Sequence, residues 1–188
     1  MVINLSALLL GLGNVLMKDE RLGVHVVNTV KERYDCPPEL EIVDGGTLGL
    51  DLLPLFEQFD RVVIVDAVNF GREPGYIGVL EDDQIPAVIF SKLSVHQIGL
   101  ADLISVAKLK GVMPSKVCLI GMQPSPEDFT LGLEMSDIVN ENVDEIIAIT
   151  VNKLKELNIL CVPSISLSSH PLDTVGQGTE INGSTNRR

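Results

Sequence analysis

The amino-acid sequence predicts an α/β domain whose mostly parallel sheet is covered by helices on both faces. Short, continuous apolar runs recur along the chain, and such runs are typical of strands that are buried on both sides. Between these runs apolar residues repeat at helical spacing, and the alternation of the two patterns indicates a parallel sheet. The length of 188 residues fits a single domain, since domains usually have roughly 100–200 residues.

Five segments are predicted as strands. Residues 7–12 (ALLLGL), 62–65 (VVIV) and 117–120 (VCLI) are continuous apolar runs. The β-branched residues of the second run favour a strand still further. Residues 40–43 and 76–80 show the same pattern more weakly. The three strong runs are therefore expected in the middle of the sheet.

Four segments are predicted as helices. Residues 22–34 carry apolar side chains at helical spacing and stop before a Pro-Pro pair. The same spacing recurs in residues 94–110, which end before a glycine, and in residues 143–154. Residues 48–59 form a fourth candidate, which tolerates Pro54 only in its first turn or at a kink.

The composition changes near the C-terminus. From residue 163 onward Ser, Thr, Gly and Asn replace most of the large apolar residues, and such a segment buries too little apolar surface to fold. We therefore predict a folded domain over residues 1–160 and a disordered tail over residues 161–188.

The charge of the chain excludes one class of function. There are 14 basic and 26 acidic residues, so the net charge is −12. Proteins that bind RNA or DNA need clustered Lys and Arg side chains for the phosphates, and nucleic acid is therefore not expected as a partner. The N-terminal apolar run is far shorter than the ~20 residues of a membrane-spanning helix, so a membrane is not expected either.

The cysteines and the N-terminus predict the compartment. Cys36, Cys118 and Cys161 are odd in number, widely spaced and free of any CxxC pair, so neither a disulfide framework nor a zinc ribbon is expected. The first residues have no basic region and no small-residue cleavage pattern of a signal peptide. A reducing cytoplasm is the expected setting.

A glycine motif, GLGN at residues 11–14, follows the first predicted strand. It begins like a dinucleotide-binding fingerprint, but Leu16 occupies the position of the third glycine, which that fingerprint needs. Peptidyl-tRNA hydrolases also open with GLGN, but the acidic composition argues against that function. A tight turn between strand and loop is the simpler interpretation.

Three polar residues follow predicted strands and are expected at one edge of the sheet. They are Glu20, Asp66 and His96. One imidazole and two carboxylates suit a borderline divalent ion such as Ni²⁺ or Zn²⁺, and three protein ligands leave a position open for water or substrate. Each residue also has a structural alternative, because Glu20 fits helix capping, Asp66 a turn and His96 a hydrogen-bonded helix start.

These residues lie in a series of motifs that spans residues 8–157. In chain order the motifs are Gly11-x-Gly13-Asn14-x-Leu16-x-x-Asp19-Glu20-x-x-Gly23, Asp44-Gly45-Gly46-Thr47, Val65-Asp66-Ala67, His96-Gln97-x-Gly99-Leu100-Ala101-Asp102, and Gly121-x-x-Pro124 followed by Gly132-Leu133. In this combination and order the sequence resembles the nickel–iron hydrogenase maturation endopeptidases.

The resemblance implies a three-layer α/β/α sandwich of the phosphorylase/hydrolase-like kind. It implies that Glu20, Asp66 and His96 match the metal-binding residues of the family, and that Asp44 matches a residue linked to substrate recognition and processing. The implied reaction is removal of a C-terminal extension from the hydrogenase large-subunit precursor after nickel insertion. The nickel is then carried by the substrate, although zinc or another divalent ion can take its place in vitro.

From this resemblance we expect a metal-dependent endopeptidase that acts as a monomer in the cytoplasm, with the large-subunit precursor as its partner. Two other functions stay open. One is a nickel-dependent chaperone that holds the precursor without cutting it, and the other is a small hydrolase of another substrate on the same fold. A conventional protease mechanism is not expected, because the sequence has no H-E-x-x-H motif and no Ser-His-Asp order. Cys118, in a predicted buried strand, is interpreted as a core residue.

Overall fold

A computed structural model describes residues 6–89, 95–125 and 130–164, with the backbone alone for residues 95–98. The strands, in chain order, are β1 (Ala7–Leu12), β2 (Tyr34–Asp35), β3 (Leu40–Gly46), β4 (Arg61–Ala67), β5 (Ile77–Glu81), β6 (Lys116–Met122) and β7 (Val162–Pro163). Five of them form one sheet in the order β3-β1-β4-β6-β5. β3, β1, β4 and β6 run parallel, and β5 is antiparallel to β6. The carboxyl ends of the four parallel strands therefore meet at one edge.

Helices cover both faces of this sheet. They are α1 (Leu22–Arg33), α2 (Leu53–Gln58), α3 (Gln84–Ile89), α4 (Val95–Lys110) and α5 (Asp137–Glu156), with 3-10 helices at Lys18–Arg21 and Gly49–Leu52. α1 and α5 bury apolar side chains against one face, and α2, α3 and α4 against the other. The predicted mostly parallel, three-layer α/β/α arrangement is confirmed.

Burial on both faces explains why the sequences of the central strands are continuous apolar runs. All seven residues of β4 are buried. Val63 and Val65 face α1 and α5, whereas Val62 and Ile64 face α2 and α4. Because successive side chains of a strand point to opposite faces, each must be apolar when both faces are covered.

One predicted helical segment is divided in the structure, and one observed helix was not predicted. The segment at residues 48–59 divides into the 3-10 helix Gly49–Leu52 and α2, whose first turn contains Pro54. Proline is tolerated there because the backbone N–H groups of a first turn have no intrahelical acceptor. α3 was not predicted, since six residues are too few to show helical periodicity.

The expectation that the cysteines form no disulfide is wrong. Cys36 and Cys161 are bonded, with their Cα atoms 4.2 Å apart, although 125 residues separate them. β2 and β7 pair in antiparallel fashion and bring the two cysteines together. This long-range pairing could not be predicted, because a strand of two residues is too short to show a sequence pattern. Residues 161–164 belong to this pairing, while the rest of the predicted tail, residues 165–188, lies outside the described residues.

In the parts of the chain that the structure describes, none of the helices is both long and apolar enough to cross a lipid bilayer.

A backbone-to-backbone contact fixes α1 on the sheet. A Cβ atom added to Gly23 would lie 2.1 Å from the Val65 carbonyl oxygen and 2.3 Å from that of Leu12. A Cβ atom on Gly11 would lie 2.4 Å from the Gly23 carbonyl oxygen. Only residues without a side chain permit this approach, which sets the first turn of α1 directly above the carboxyl ends of β1 and β4.

Replacing Gly23 by alanine should therefore destabilise the fold, because the added methyl group meets carbonyl groups that cannot move away. We expect Gly23→Ala to lower the free energy of unfolding by about 1–3 kcal/mol, the usual cost of overpacking. Urea denaturation followed by circular dichroism measures it. The exposed helix position Asn28 supplies the control: Asn28→Ala should stay within about 0.5 kcal/mol of the wild type, and equal effects of the two variants would contradict the prediction.

Candidate functional site at the carboxyl edge of the sheet

Two buried carboxylates lie at the carboxyl edge of the sheet, within electrostatic range of each other. Glu20, in the 3-10 helix before α1, is 4% exposed, and Asp66, at the end of β4, is 3% exposed. The 3-10 helix packs against β4, and the two side chains are near enough for the negative charge of Glu20 to affect the titration of Asp66. Open α/β sheets bind their ligands at this edge.

Burial changes the ionisation of Asp66. The pKa of its carboxyl group is raised from 3.8 to about 7, mainly by the loss of solvent and to a smaller extent by the negative charge of Glu20. The Ala67 N–H donates a hydrogen bond to Asp66 Oδ1 over 2.8 Å, which lowers the pKa but does not compensate. A divalent cation would favour the charged form of both carboxylates, so the pair fits the two acidic ligands of the predicted metal set.

A third buried carboxylate, Asp19, holds the 3-10 helix in place. Asp19 Oδ1 accepts a hydrogen bond from the Ser136 N–H over 2.7 Å. Asp19 Oδ2 accepts from the Ser136 hydroxyl over 2.9 Å and from the Ser125 N–H over 3.2 Å. Ser136 is the N-cap of α5, so one side chain ties the segment that carries Glu20 to the loop after β6 and to α5.

Sequence reasoning missed this role of Asp19. Capping of the helix that follows it in sequence does not explain the residue, because the N-cap of α1 is Arg21 and no side chain caps that helix. Asp19 instead accepts hydrogen bonds from Ser136. Ser136 is the N-cap of α5, which begins at Asp137, 118 positions after Asp19. A serine directly before an amphipathic run was the available N-cap signal, but nothing local links Ser136 to Asp19.

The loop after β6 makes three further contacts with the same segment. The Gly132 N–H donates to the Leu16 carbonyl oxygen over 3.0 Å, and Met17 forms an isolated antiparallel bridge with Leu131. The Arg21 guanidinium donates to the Leu133 carbonyl oxygen. Residues on both sides of Glu20 are thereby held, which limits how far its side chain can move.

The GLGN motif is a supporting turn. The Gly13 N–H donates to the Gly46 carbonyl oxygen over 2.9 Å, joining this turn to the end of β3. Gly13 has a φ of +129°, and a Cβ atom there would lie 1.7 Å from the Glu20 carbonyl oxygen. The turn therefore has no space for a side chain, since the backbone of Glu20 lies directly against it.

His96 is the second residue of α4, which begins at Val95. The predicted helix start is thus confirmed for the backbone, whereas the His96 side chain lies outside the described residues. Among the described side chains there is no group of three His, Cys, Asp or Glu residues that could hold a metal ion. Of the predicted set, the structure brings together Glu20 and Asp66.

Asp44 lies apart from this pair. It is exposed, near the end of β3, and its Oδ1 accepts a hydrogen bond from the Gly46 N–H over 3.0 Å. Its side chain lines a groove on the α1 side, together with Arg21 and His25. Asp66 lines a different cavity, on the α4 side of the sheet.

Cys118 has the properties of a core residue. It lies in β6, it is 5% exposed and it carries a free thiol. Burial raises the pKa of this thiol to about 12, so the thiolate that a cysteine nucleophile requires is not formed at neutral pH.

The fold and site together define the class: a three-layer α/β protein with a buried acidic site at the carboxyl edge of its sheet. The sequence profile of the family described as hydrogenase maturation protease matches residues 24–153. The hydrogenase expression/formation protein HupD of Rhodobacter capsulatus is 38% identical over 168 residues, covering 88% of this chain and 79% of HupD.

A second relative is the hydrogenase 2 maturation protease of Escherichia coli strain K12. It is 35% identical over 157 residues, covering 83% of this chain and 94% of the relative. The solved structure of the hydrogenase maturating endopeptidase HybD from E. coli superimposes with a TM-score of 0.79 at 33% identity, over 84% of this chain and 97% of HybD. The chain belongs to the hydrogenase maturation protease family and is a hydrolase.

Removing the Asp19 carboxylate should destabilise the protein. Asp19→Ala leaves the half-buried Ser136 and Ser125 groups without their acceptor, and we expect a loss of about 2–4 kcal/mol in the free energy of unfolding, measured by urea denaturation. Asp51, also in a 3-10 helix but exposed, supplies the matched control Asp51→Ala, which should lose less than about 0.5 kcal/mol. Equal losses in both variants would contradict the anchoring role.

The pKa of Asp66 predicts a dependence of stability on pH. The folded protein binds this proton more tightly than the unfolded chain does, so stability falls as the pH rises from about 4 to about 7. A shift of this size corresponds to at most about 4 kcal/mol. Asp66→Asn cannot titrate and should lack this component.

The measurement is urea denaturation of the wild type and Asp66→Asn from pH 5 to pH 8 in the presence of a chelator. The variant should lose less stability over this range than the wild type does. Asp60→Asn, at an exposed position, is the control and should follow the wild type. Parallel pH profiles for Asp66→Asn and the wild type would show that the carboxyl group titrates in its ordinary range.

Proposed function

We propose that this chain is the endopeptidase that removes the C-terminal extension of the nickel–iron hydrogenase large-subunit precursor after nickel insertion. Membership of the maturation protease family supports the reaction and the kind of substrate. The observation that carries the metal part is the burial of Glu20 and Asp66 at the same edge of the sheet, within electrostatic range of each other. In this proposal His96 supplies the third ligand, and the nickel is part of the substrate.

The cost of the carboxylate pair gives the proposal its physical basis. Two like charges in a buried site raise the free energy of the enzyme, and a divalent cation offsets both the lost hydration and the repulsion. Carboxylate oxygens and an imidazole nitrogen are suitable donors for Ni²⁺. Because the cation comes with the precursor, this gain in binding energy is available only to a precursor that already holds nickel.

Glu20, Asp66 and His96 would hold the precursor through its nickel and so keep the scissile peptide bond at the edge of the sheet. Such orientation is a major source of rate enhancement, and the ion can also polarise a carbonyl group. Hydrolysis adds water across the peptide C–N bond and leaves a new carboxylate on the large subunit and a free amine on the extension. We assign Asp44 to contact with the precursor, since its side chain lines an exposed groove on the α1 side.

The proposal also includes the setting of the reaction. Because processing precedes any export of the hydrogenase, we place the enzyme in the cytoplasm. We also propose that it acts as a monomer. Zinc or another divalent ion can occupy the same donor set in vitro, because these donors do not select strongly for one ion.

The experiment that tests the proposal compares nickel-loaded with nickel-free precursor. Each is incubated with the full chain, and the products are weighed by intact-protein mass spectrometry. We expect the nickel-loaded form alone to lose its extension. Equal cutting of both forms would contradict recognition through nickel. Stable binding without cutting would instead indicate a chaperone, and cutting of unrelated peptides alone would indicate another hydrolase.

Variants of the proposed ligands test the site itself. Glu20→Gln, Asp66→Asn and His96→Ala should each reduce processing on the order of 100-fold or more, because even second-sphere changes around a metal cost 10–100-fold. Asp60→Asn should process at the wild-type rate. Thermal unfolding of His96→Ala should match the wild type, and a large fall in its melting temperature would point to a structural histidine.

A further inference from the structure

An apolar cavity of about 220 Å³ opens beside Asp66. Its walls are leucine side chains from β1, from the 3-10 helix Gly49–Leu52 and from α4, namely Leu12, Leu52, Leu100 and Leu103. All four are at most 8% exposed and belong to the core on the α4 side of the sheet. The cavity is thus a gap in a packed layer, with walls that the surrounding core holds in place.

The exposed residue Thr47 lines the cavity and marks its mouth. Gly46, Gly49 and Gly99 also line the cavity and contribute no side chain to it. The chains of Gly49 and Gly99 pass so closely that a Cβ atom on Gly99 would lie 3.3 Å from the Gly49 Cα atom. No bulky side chain among these lining residues covers the opening.

The size and lining of the cavity indicate one chemical class of occupant. An apolar cavity of about 150 Å³ lined by Leu, Ile and Phe stays dry and binds benzene, so 220 Å³ can take a side chain of the size of Leu, Ile or Met. The leucine walls carry no hydrogen-bonding group, and burying a polar group against them would be unfavourable. An acidic side chain would in addition be repelled by Asp66 and Glu20.

We propose that this cavity is a subsite for one aliphatic side chain of the precursor, from a residue next to the scissile bond. Asp66 lines the cavity and is also one of the two buried carboxylates, so a peptide held at that pair lies at the mouth of the cavity. This inference rests on the proposed function and adds a specificity determinant to it. An aliphatic side chain enters between the leucines and fixes the register of the peptide relative to the carboxylates.

The test first locates the cut in the nickel-loaded precursor by mass spectrometry of the released extension. Each residue within two positions of the cut is then replaced singly by Leu, Ala and Asp, and kcat/KM is measured with the wild-type enzyme. At one position we expect Leu to be cut about 10-fold or more faster than Ala, and Asp to be cut more slowly still.

A substitution in the enzyme, at the mouth of the cavity, complements the substitutions in the precursor. Thr47 is exposed at the mouth, so Thr47→Phe can fill the opening without disturbing the core. It should lower kcat/KM for the precursor with Leu at least about 10-fold and remove the preference for Leu over Ala. Glu39→Phe adds the same ring at an exposed position next to the amino end of β3 and should retain wild-type activity and preference.

The outcomes separate this inference from the proposed function. If the wild-type enzyme cuts no precursor, the proposed function fails and the subsite with it. If it cuts every flanking-residue variant at the same rate, or if Thr47→Phe keeps the wild-type preference, the subsite proposal alone is overturned.

Discussion

The burial of Glu20 and Asp66 at one edge of the sheet, within electrostatic range of each other, is the constraint on which the rest of this site depends. Each carboxylate is at most 4% exposed, and the pKa of about 7 at Asp66 results mainly from this burial, with a smaller contribution from the charge of Glu20. Left alone, such a pair would separate or become exposed to water. It persists because the elements around it allow neither, so the structure keeps a strong, local affinity for positive charge.

Two kinds of contact keep the carboxylates in place. The close approach of Gly23 to the carbonyl groups of β1 and β4 sets α1, and the 3-10 helix before it, on the edge of the sheet. The Asp19 carboxylate then ties that 3-10 helix to Ser136 and Ser125. Steric fit fixes the height of the segment above the sheet and hydrogen bonds fix its position along the edge. A charged site supported in this way is already organised before the substrate arrives, which favours rapid and selective chemistry.

The main elements of the fold could be predicted from the sequence because apolar runs and helical spacing are local patterns of residues. β1 was predicted at its observed bounds, Ala7–Leu12, since burial on both faces demands a continuous apolar run. α3 and the β2–β7 pairing were missed, because elements of six and two residues are too short to show a period. The Cys36–Cys161 disulfide was missed for the same reason: the contact spans 125 residues and leaves no local signal.

By itself the sequence determined the layered α/β architecture and the family resemblance, and it predicted that Glu20, Asp66 and His96 gather at one edge of the sheet. Periodicity and motif order are local properties that need no coordinates. Only the tertiary structure decided that Glu20 and Asp66 are buried together, that Asp44 lines a separate groove and that a leucine-walled cavity adjoins Asp66. Burial, electrostatic coupling and cavity shape depend on distances between side chains remote in sequence, and packing alone sets those distances.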